Sequence, residues 1–174
     1  MAQAPSTTRI LVGFPAGGAP DAVARAFADQ LRQTGGSSVV VENRPGASGK
    51  LAIDAALAGA ADGQILVLVP SSVMALVPLT LRSAKYDAVR DFATIGSVAE
   101  YGFGIATGPA SGASNLADFK TWARAQAKAP GYATPGLGTP QHFLGAQLQK
   151  QIGAETVHVP YRGGAPALAD VIGG

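Results

Sequence analysis

Residues 9–21 read Arg-Ile-Leu-Val-Gly-Phe-Pro-Ala-Gly-Gly-Ala-Pro-Asp and place an apolar run, a glycine turn and a helix start in direct succession. Residues 9–14 have the length and composition of a short strand. In the turn Phe14-Pro15-Ala16-Gly17-Gly18, only glycine enters positive φ without steric cost. Pro20 and Asp21 suit a first helical turn. Proline gives up an N–H that has no partner there, and aspartate caps the helix and complements its dipole. A strand that feeds such a loop and then a helix aims several unpaired main-chain N–H groups at one point, which is the architecture of an anion site. The same residues also make an ordinary strand-to-helix turn, so this segment alone leaves both readings open.

The pattern then repeats. A helix is expected over residues 21–33, with Val23, Phe27 and Leu31 on one stripe and Gly35-Gly36 closing it. Residues 38–42 are a β-branched run expected to form a buried strand, followed by a loop over 43–49 and a helix over 50–59. A third strand is expected over 64–69, with Pro70-Ser71-Ser72 opening a short helix. Alternation of this kind implies parallel strands joined by crossovers, an α/β domain with helices on both faces. Beyond Asp91 the texture changes: 92–99 and 101–107 are strand-like, and 108–113 resembles a linker. A helix from Ser114 or Asn115 to Lys128, a brief strand over 132–134, a helix over 139–151, a strand over 156–159 and a helix over 165–172 follow. A crossover helix ordinarily delivers the chain to another strand, so the expectation is an architecture interrupted near Gly174.

Composition excludes several functions. The 174 residues are long enough to bury a core, and 47% are apolar against 14% charged, so the chain is globular. Thirteen basic and eleven acidic residues with no basic cluster argue against a nucleic-acid surface, and sparse aromatics argue against stacking platforms. Cysteine is absent, which removes disulfides and thiolate chemistry. No apolar run reaches membrane-spanning length. The first eight residues lead directly towards the first strand without a leader-like pattern.

Enzymatic motifs nearly form and then fail. Gly46-Ala47-Ser48-Gly49-Lys50 is too short for a phosphate loop, and Leu51 stands where a magnesium-binding hydroxyl belongs. Gly136-Leu137-Gly138 lacks the third glycine of a dinucleotide fingerprint, since Gln141 replaces it. Two histidines without cysteine make a catalytic metal site unpromising. His142, after the loop 134–139, either presents an N–H to an anion beside the Thr139 hydroxyl and loop amides, or bonds the loop itself. His158, inside an alternating strand, reads as structural. Tyr161-Arg162-Gly163-Gly164 repeats the first theme: strand, glycine pair, helix with an early proline. These ends, with Ser71 and Ser72, line the carboxyl edges of parallel strands, where open α/β sheets bind ligands. The surroundings are neutral and rich in amides and hydroxyls, which favours a small organic anion over a polyphosphate.

The segments Phe14-Pro-Ala-Gly-Gly-x-x-Asp21, VVVENRPGASG over 39–49, Ala61-Asp62-Gly63, Tyr86-Asp-x-Val-x-Asp-Phe92 and VHVPYRGGAPA over 157–167 closely resemble the Bug family. These are the periplasmic solute-binding receptors of tripartite tricarboxylate transporters. The resemblance implies a periplasmic-binding-protein-like α/β fold of two lobes closing on a small organic carboxylate in Venus-flytrap fashion, without catalysis or cofactor. It implies residues 1–100 as a first lobe lacking its returning segments and 101–174 as part of a second. Phe14, Ala16, Gly17, Gly18 and Asp21 would hold one carboxylate through main-chain amides and ordered water. Ser71 and Ser72 match a further polar loop, Gly138, Thr139 and His142 a second-lobe loop, and Tyr161 a hinge-side loop. Pro135-Gly136-Leu137-Gly138 departs from the more polar residues usual there. Family members run well over a hundred residues further, so the resemblance implies an N-terminal portion, a periplasmic location and membrane components of a transporter as partners.

Two other classes remain as expectations. An α/β enzyme acting on a phosphorylated small molecule would need Asp21 or His142 as its base. An interaction module would associate, as a homo-oligomer, through the exposed edges of an interrupted fold.

Overall fold

A computed structural model describes residues 7–35 and 38–174. The chain divides into two compact units, one up to Tyr101 and one from Gly102 onward. Gly36, expected to help close the first helix, lies outside the described residues.

In the first unit, β1 (Thr7–Val12) lies between β2 (Ser38–Asn43) and β3 (Ile65–Leu68) in a parallel three-stranded sheet. Ile10 sits opposite Val41 on one side and Leu66 on the other. Ile10, Leu11 and Val12 are fully buried. A central strand covered on both faces must be a continuous apolar run, and residues 10–12 supply it. Helices cover both faces. On one, Ile10, Val12 and Val39 pack with Ala24 and Ala28 of α1 (Ala19–Gly35). On the other, Ile53 of α2 (Lys50–Leu57), Val73 of α3 (Ser71–Ala75), Val77 of α4 (Val77–Thr80), Phe14 and Tyr86 form a second cluster. The buried Tyr86 hydroxyl donates to the Val73 carbonyl and so fastens α3.

Several expectations change. The fully buried line of α1 is Ala24 and Ala28, with Val23, Phe27 and Leu31 only half-buried at its flanks. Alanine at the centre lets the helix approach the sheet closely. β2 is not buried throughout: at the edge of this sheet it buries Val39 and exposes Val40. α4 lies outside the expected elements, and its Pro78 sits in the first turn, where proline is tolerated. The strand-like runs 92–99 and 101–107 form no strand among the described residues. Extended apolar residues become a strand only with a neighbouring ladder, and Ile95 and Ile105 stand 79% and 68% exposed.

In the second unit, β4 (Gly131–Thr134) and β5 (Val157–Pro160) pair in parallel, with Thr134 opposite Pro160. Between them run a loop and α6 (Pro140–Ile152), and α7 (Gly164–Gly173) follows β5. A 3-10 turn at Pro109–Ser111 lies within the segment read as a linker. α5 (Leu116–Ala125) is capped by the Asn115 side chain, which accepts the Asp118 N–H at 3.0 Å. It stops short of the expected Lys128 because Gln126 turns to extended backbone. α6 ends on Gly153 in the left-handed region, and Arg124 Nε donates to the Ile152 carbonyl at 2.7 Å.

Gly13, directly after β1, is required by close approach rather than by φ. A Cβ there would lie 2.7 Å from Gly49 Cα and 2.8 Å from its carbonyl oxygen, backbone against backbone. Gly13→Ala is therefore expected to cost on the order of 1–3 kcal/mol, as overpacking does. Gly18→Ala, whose Cβ would meet nothing nearer than the Pro15 carbonyl at 3.4 Å, serves as a near-neutral control. Chemical denaturation of both variants checks the difference.

Candidate functional site

Three loops leave the carboxyl ends of the first unit's strands. β1 ends in the loop to α1, where Gly17 takes φ of +81°. The Phe14 ring is buried in the second core cluster, so it anchors this loop instead of lining its surface. Ala16 and Gly17 are exposed. The Gly17 N–H donates to Asp21 Oδ2 at 2.9 Å, so this amide is taken up within the loop. Gly18 makes only a long 3.4 Å bond to the Pro15 carbonyl, while its own carbonyl accepts the Ala22 N–H. At the start of α1, the Ala16, Ala19 and Asp21 amides have no main-chain partner among the described residues.

Asp21 is 3% exposed and sits under this loop. Besides Gly17, it accepts Arg25 Nε at 3.0 Å and Asn43 Nδ2 at 2.9 Å. The Arg25 bond, against the opposing effect of burial and with help from Gly17 and Asn43, lowers the Asp21 pKa to about 2. Asn43 Nδ2 also donates to the Phe14 carbonyl at 3.0 Å.

The loop after β2 carries the strained backbone of this unit. Ala47 and Ser48 hold φ of 46° and 55°, and Ser48 is buried. Such values are uncommon outside glycine and mark a conformation fixed by its surroundings. The surroundings are visible: Gly49 lies against Gly13, Phe14 and Val73, so the loops after β1 and β2 and the start of α3 converge there. Ser71 and Ser72 open α3, and neither hydroxyl takes a side-chain hydrogen bond among the described residues.

The second unit repeats the plan with different groups. Thr139, 5% exposed, directs its hydroxyl to the Gly136 carbonyl at 2.8 Å instead of capping α6. Gly138, at φ of +74°, donates its N–H to His142 Nδ1 at 3.2 Å. The loop bond open to His142 is thus made through Nδ1, which leaves Nε2 outside it. With Nδ1 accepting, the neutral ring carries its proton on Nε2. The His142 ring stacks on His158 with centroids 4.0 Å apart, and His158 Nε2 lies 2.6 Å from Thr134 Oγ1. Burial first, and the neighbouring His142 second, push the His158 pKa below the usual imidazole range. After β5, the Tyr161 N–H donates to the Thr134 carbonyl and its hydroxyl to Asp170 at 2.6 Å. That bond raises the Tyr161 pKa.

Sequence reasoning missed Asn43, Ala47 and Ser48, and it left His158 without a partner. Asn43 sits at the end of a β-branched run and looks like the start of a loop; only its register beside Val12 brings it under the first loop. The Asp21–Arg25 spacing of four was the one legible part of the network. Among the described residues no group of three or more His, Asp or Glu side chains is placed to hold a metal ion. No helix there is long and apolar enough to cross a membrane.

Each unit is a parallel sheet whose strand ends lead into loops and helix starts, and comparison with known proteins places this arrangement in a family. The family model described as tripartite tricarboxylate transporter family receptor matches residues 23–174, and the chain belongs to that family. It is 34% identical to protein BugT of Bordetella pertussis over 167 residues, covering 95% of this chain and 51% of BugT. The chain spans about half the length of the curated relatives it matches. Among solved structures, R. palustris Rpa4515 with adipate superposes with a TM-score of 0.78 at 25% identity, over 97% of this chain and 57% of that one. A structure described as a periplasmic transporter gives 0.76 at 27% identity, over 96% and 56%. These superpositions show the α/β fold of periplasmic binding proteins.

Because the folded-state pKa of Asp21 lies below its ordinary 3.8, its contribution is present above pH 4 and is lost as pH falls towards 2. The difference is on the order of 2 kcal/mol. Acid unfolding followed by circular dichroism should steepen between pH 4 and 2. Asp21→Asn should flatten that limb and lower the stability at pH 7.

Proposed function

We propose that the chain supplies the carboxylate-binding loops of a periplasmic receptor, which captures a small organic acid for the membrane components of a tripartite tricarboxylate-type transporter. The observation that carries the reading is the loop after β1. Gly17 turns at positive φ, Asp21 draws the Gly17 amide inward, and the Ala16, Ala19 and Asp21 amides remain at the amino end of α1. A helix start with unpaired N–H groups favours an anion. Family membership and the adipate in the R. palustris relative support a dicarboxylate as the first ligand to test. Ser71 and Ser72 offer further hydroxyls. In the second unit His142 Nε2 is the proposed donor, with Gly138, Thr139 and Tyr161 shaping its loops.

The role is binding rather than catalysis. Asp21, one of two candidate bases, already accepts three donors and has its pKa lowered to about 2. His142 commits Nδ1 to Gly138. Neither group stands ready to accept a proton from a substrate.

Thermal shift and calorimetry with mono-, di- and tricarboxylates, and with inorganic phosphate as the contrast, test the reading. A dicarboxylate at a hundredfold its dissociation constant should add about 2.7 kcal/mol of stability. Gly17→Val, strained at φ of +81°, should abolish that effect while keeping the helix content. Stabilisation by phosphate alone, or unchanged carboxylate affinity in the variant, would overturn it.

A second reading, self-association, is favoured by the exposed Ile95, Val98 and Ile105, which lie outside any helix or strand. Light scattering separates the two: a monodisperse monomer excludes it.

A further inference from the structure

Asn43 belongs to none of the sequence-predicted site loops, yet it holds two parts of the first one. Its Nδ2 donates to the Phe14 carbonyl at 3.0 Å and to Asp21 Oδ1 at 2.9 Å, while Arg25 Nη2 donates to its Oδ1 at 3.3 Å. Only an amide offers two donors and an acceptor from one planar group. The residue is the last of β2, paired in register with Val12, the last of β1. Its main chain is fixed by that ladder, and the Arg44 N–H bond to the Val12 carbonyl at 2.7 Å extends it. The reach from β2 into the neighbouring loop is therefore set by the sheet and not by the loop.

The consequence concerns a charge. A carboxylate beneath an anion-binding loop repels the ligand unless its own charge and lone pairs are taken up. Arg25 neutralises Asp21, and Gly17 and Asn43 donate to its oxygens as well. Asp21, so held, keeps the Gly17 peptide turned inward, and the Phe14 carbonyl is pinned from the other side. The Ala16, Ala19 and Asp21 amides at the start of α1 stay unpaired. We infer that Asn43 is the positioning residue of the carboxylate-binding loop, fixing through Asp21 and the Phe14 carbonyl which main-chain amides face a ligand. The inference rests on the function proposed above for its ligand, but not for the geometry it assigns to the loop.

The test uses the full chain and two readouts. Amide hydrogen exchange on the wild type should find the Gly17 N–H protected and those of Ala16, Ala19 and Asp21 open. Asn43→Ala removes the side-chain bonds, and Asn43→Asp sets a second carboxylate against Asp21. Each should accelerate Gly17 exchange and weaken adipate binding by about tenfold or more, the scale of a lost bond to a charged group. Loss of affinity should exceed what the accompanying fall in melting temperature explains. A Gly17 amide as open as Ala16 in the wild type, or unchanged by both substitutions, would overturn the inference. So would a lower melting temperature with unaltered adipate affinity, the mark of a purely structural role. A wild type that binds no carboxylate refutes the proposed function, and the exchange readout then decides the role of Asn43 by itself.

Discussion

Everything in the first unit hangs on β1 being hydrogen-bonded on both edges and buried on both faces. Ile10 and Val12 point to α1, and Phe14, just beyond the strand, enters the opposite cluster. Burying each of these side chains contributes about 1.5–3 kcal/mol, so the strand end cannot wander. The chain leaves it at Gly13, pressed against Gly49 with no room for a Cβ. The position of the loop that follows is thus a property of the core. A site built from main-chain amides requires this, because an amide has no side-chain torsion with which to correct a misplaced backbone.

Around that fixed point the polar groups are arranged to cancel. Asp21 is the buried acid of the loop, and a donor from α1, one from β2 and one from the loop itself meet it. Nearby, Glu42 is held similarly: Arg9 contributes two bonds and Arg44 a third, and its pKa falls to about 2. Both acids remain ionised at neutral pH with their charge matched by arginine. The loops beside them therefore present main-chain dipoles rather than net charge.

The second unit reaches a comparable loop by other means. Where the first uses a buried carboxylate to turn in a glycine amide, the second uses the Nδ1 of His142 on Gly138. Where Asn43 ties neighbouring strand ends together in the first, His158 on β5 does so through the Thr134 hydroxyl of β4. Imidazole is the weaker acceptor, but it leaves a proton on Nε2 that a carboxylate does not have. The two units thus share a plan of strand end, glycine and helix start, and differ in the group that organises it.

The order of strands and helices, the parallel sheet and the glycine turns were legible in the sequence because they depend on local periodicity and on φ. Residues 10–12, Pro20 with Asp21, and Asn115 with Asp118 act over a few positions, and their types are sufficient to read them. The motif resemblance likewise pointed to residues 14–21, 71–72 and 138–142. What the sequence did not carry was which loop amides are already spent. Asn43 reaches Asp21 across 22 positions, and His158 reaches Thr134 across 24. Such bonds exist only once parallel register has set the strand ends side by side. The runs at 92–107 fail for the same reason: their β-type composition is local, whereas a ladder requires a neighbour. Sequence alone determined the order of the sheet strands, the glycine turns and most of the helix starts. Tertiary structure decided which of their polar groups remain free, because a hydrogen bond between strand ends depends on distances that folding creates.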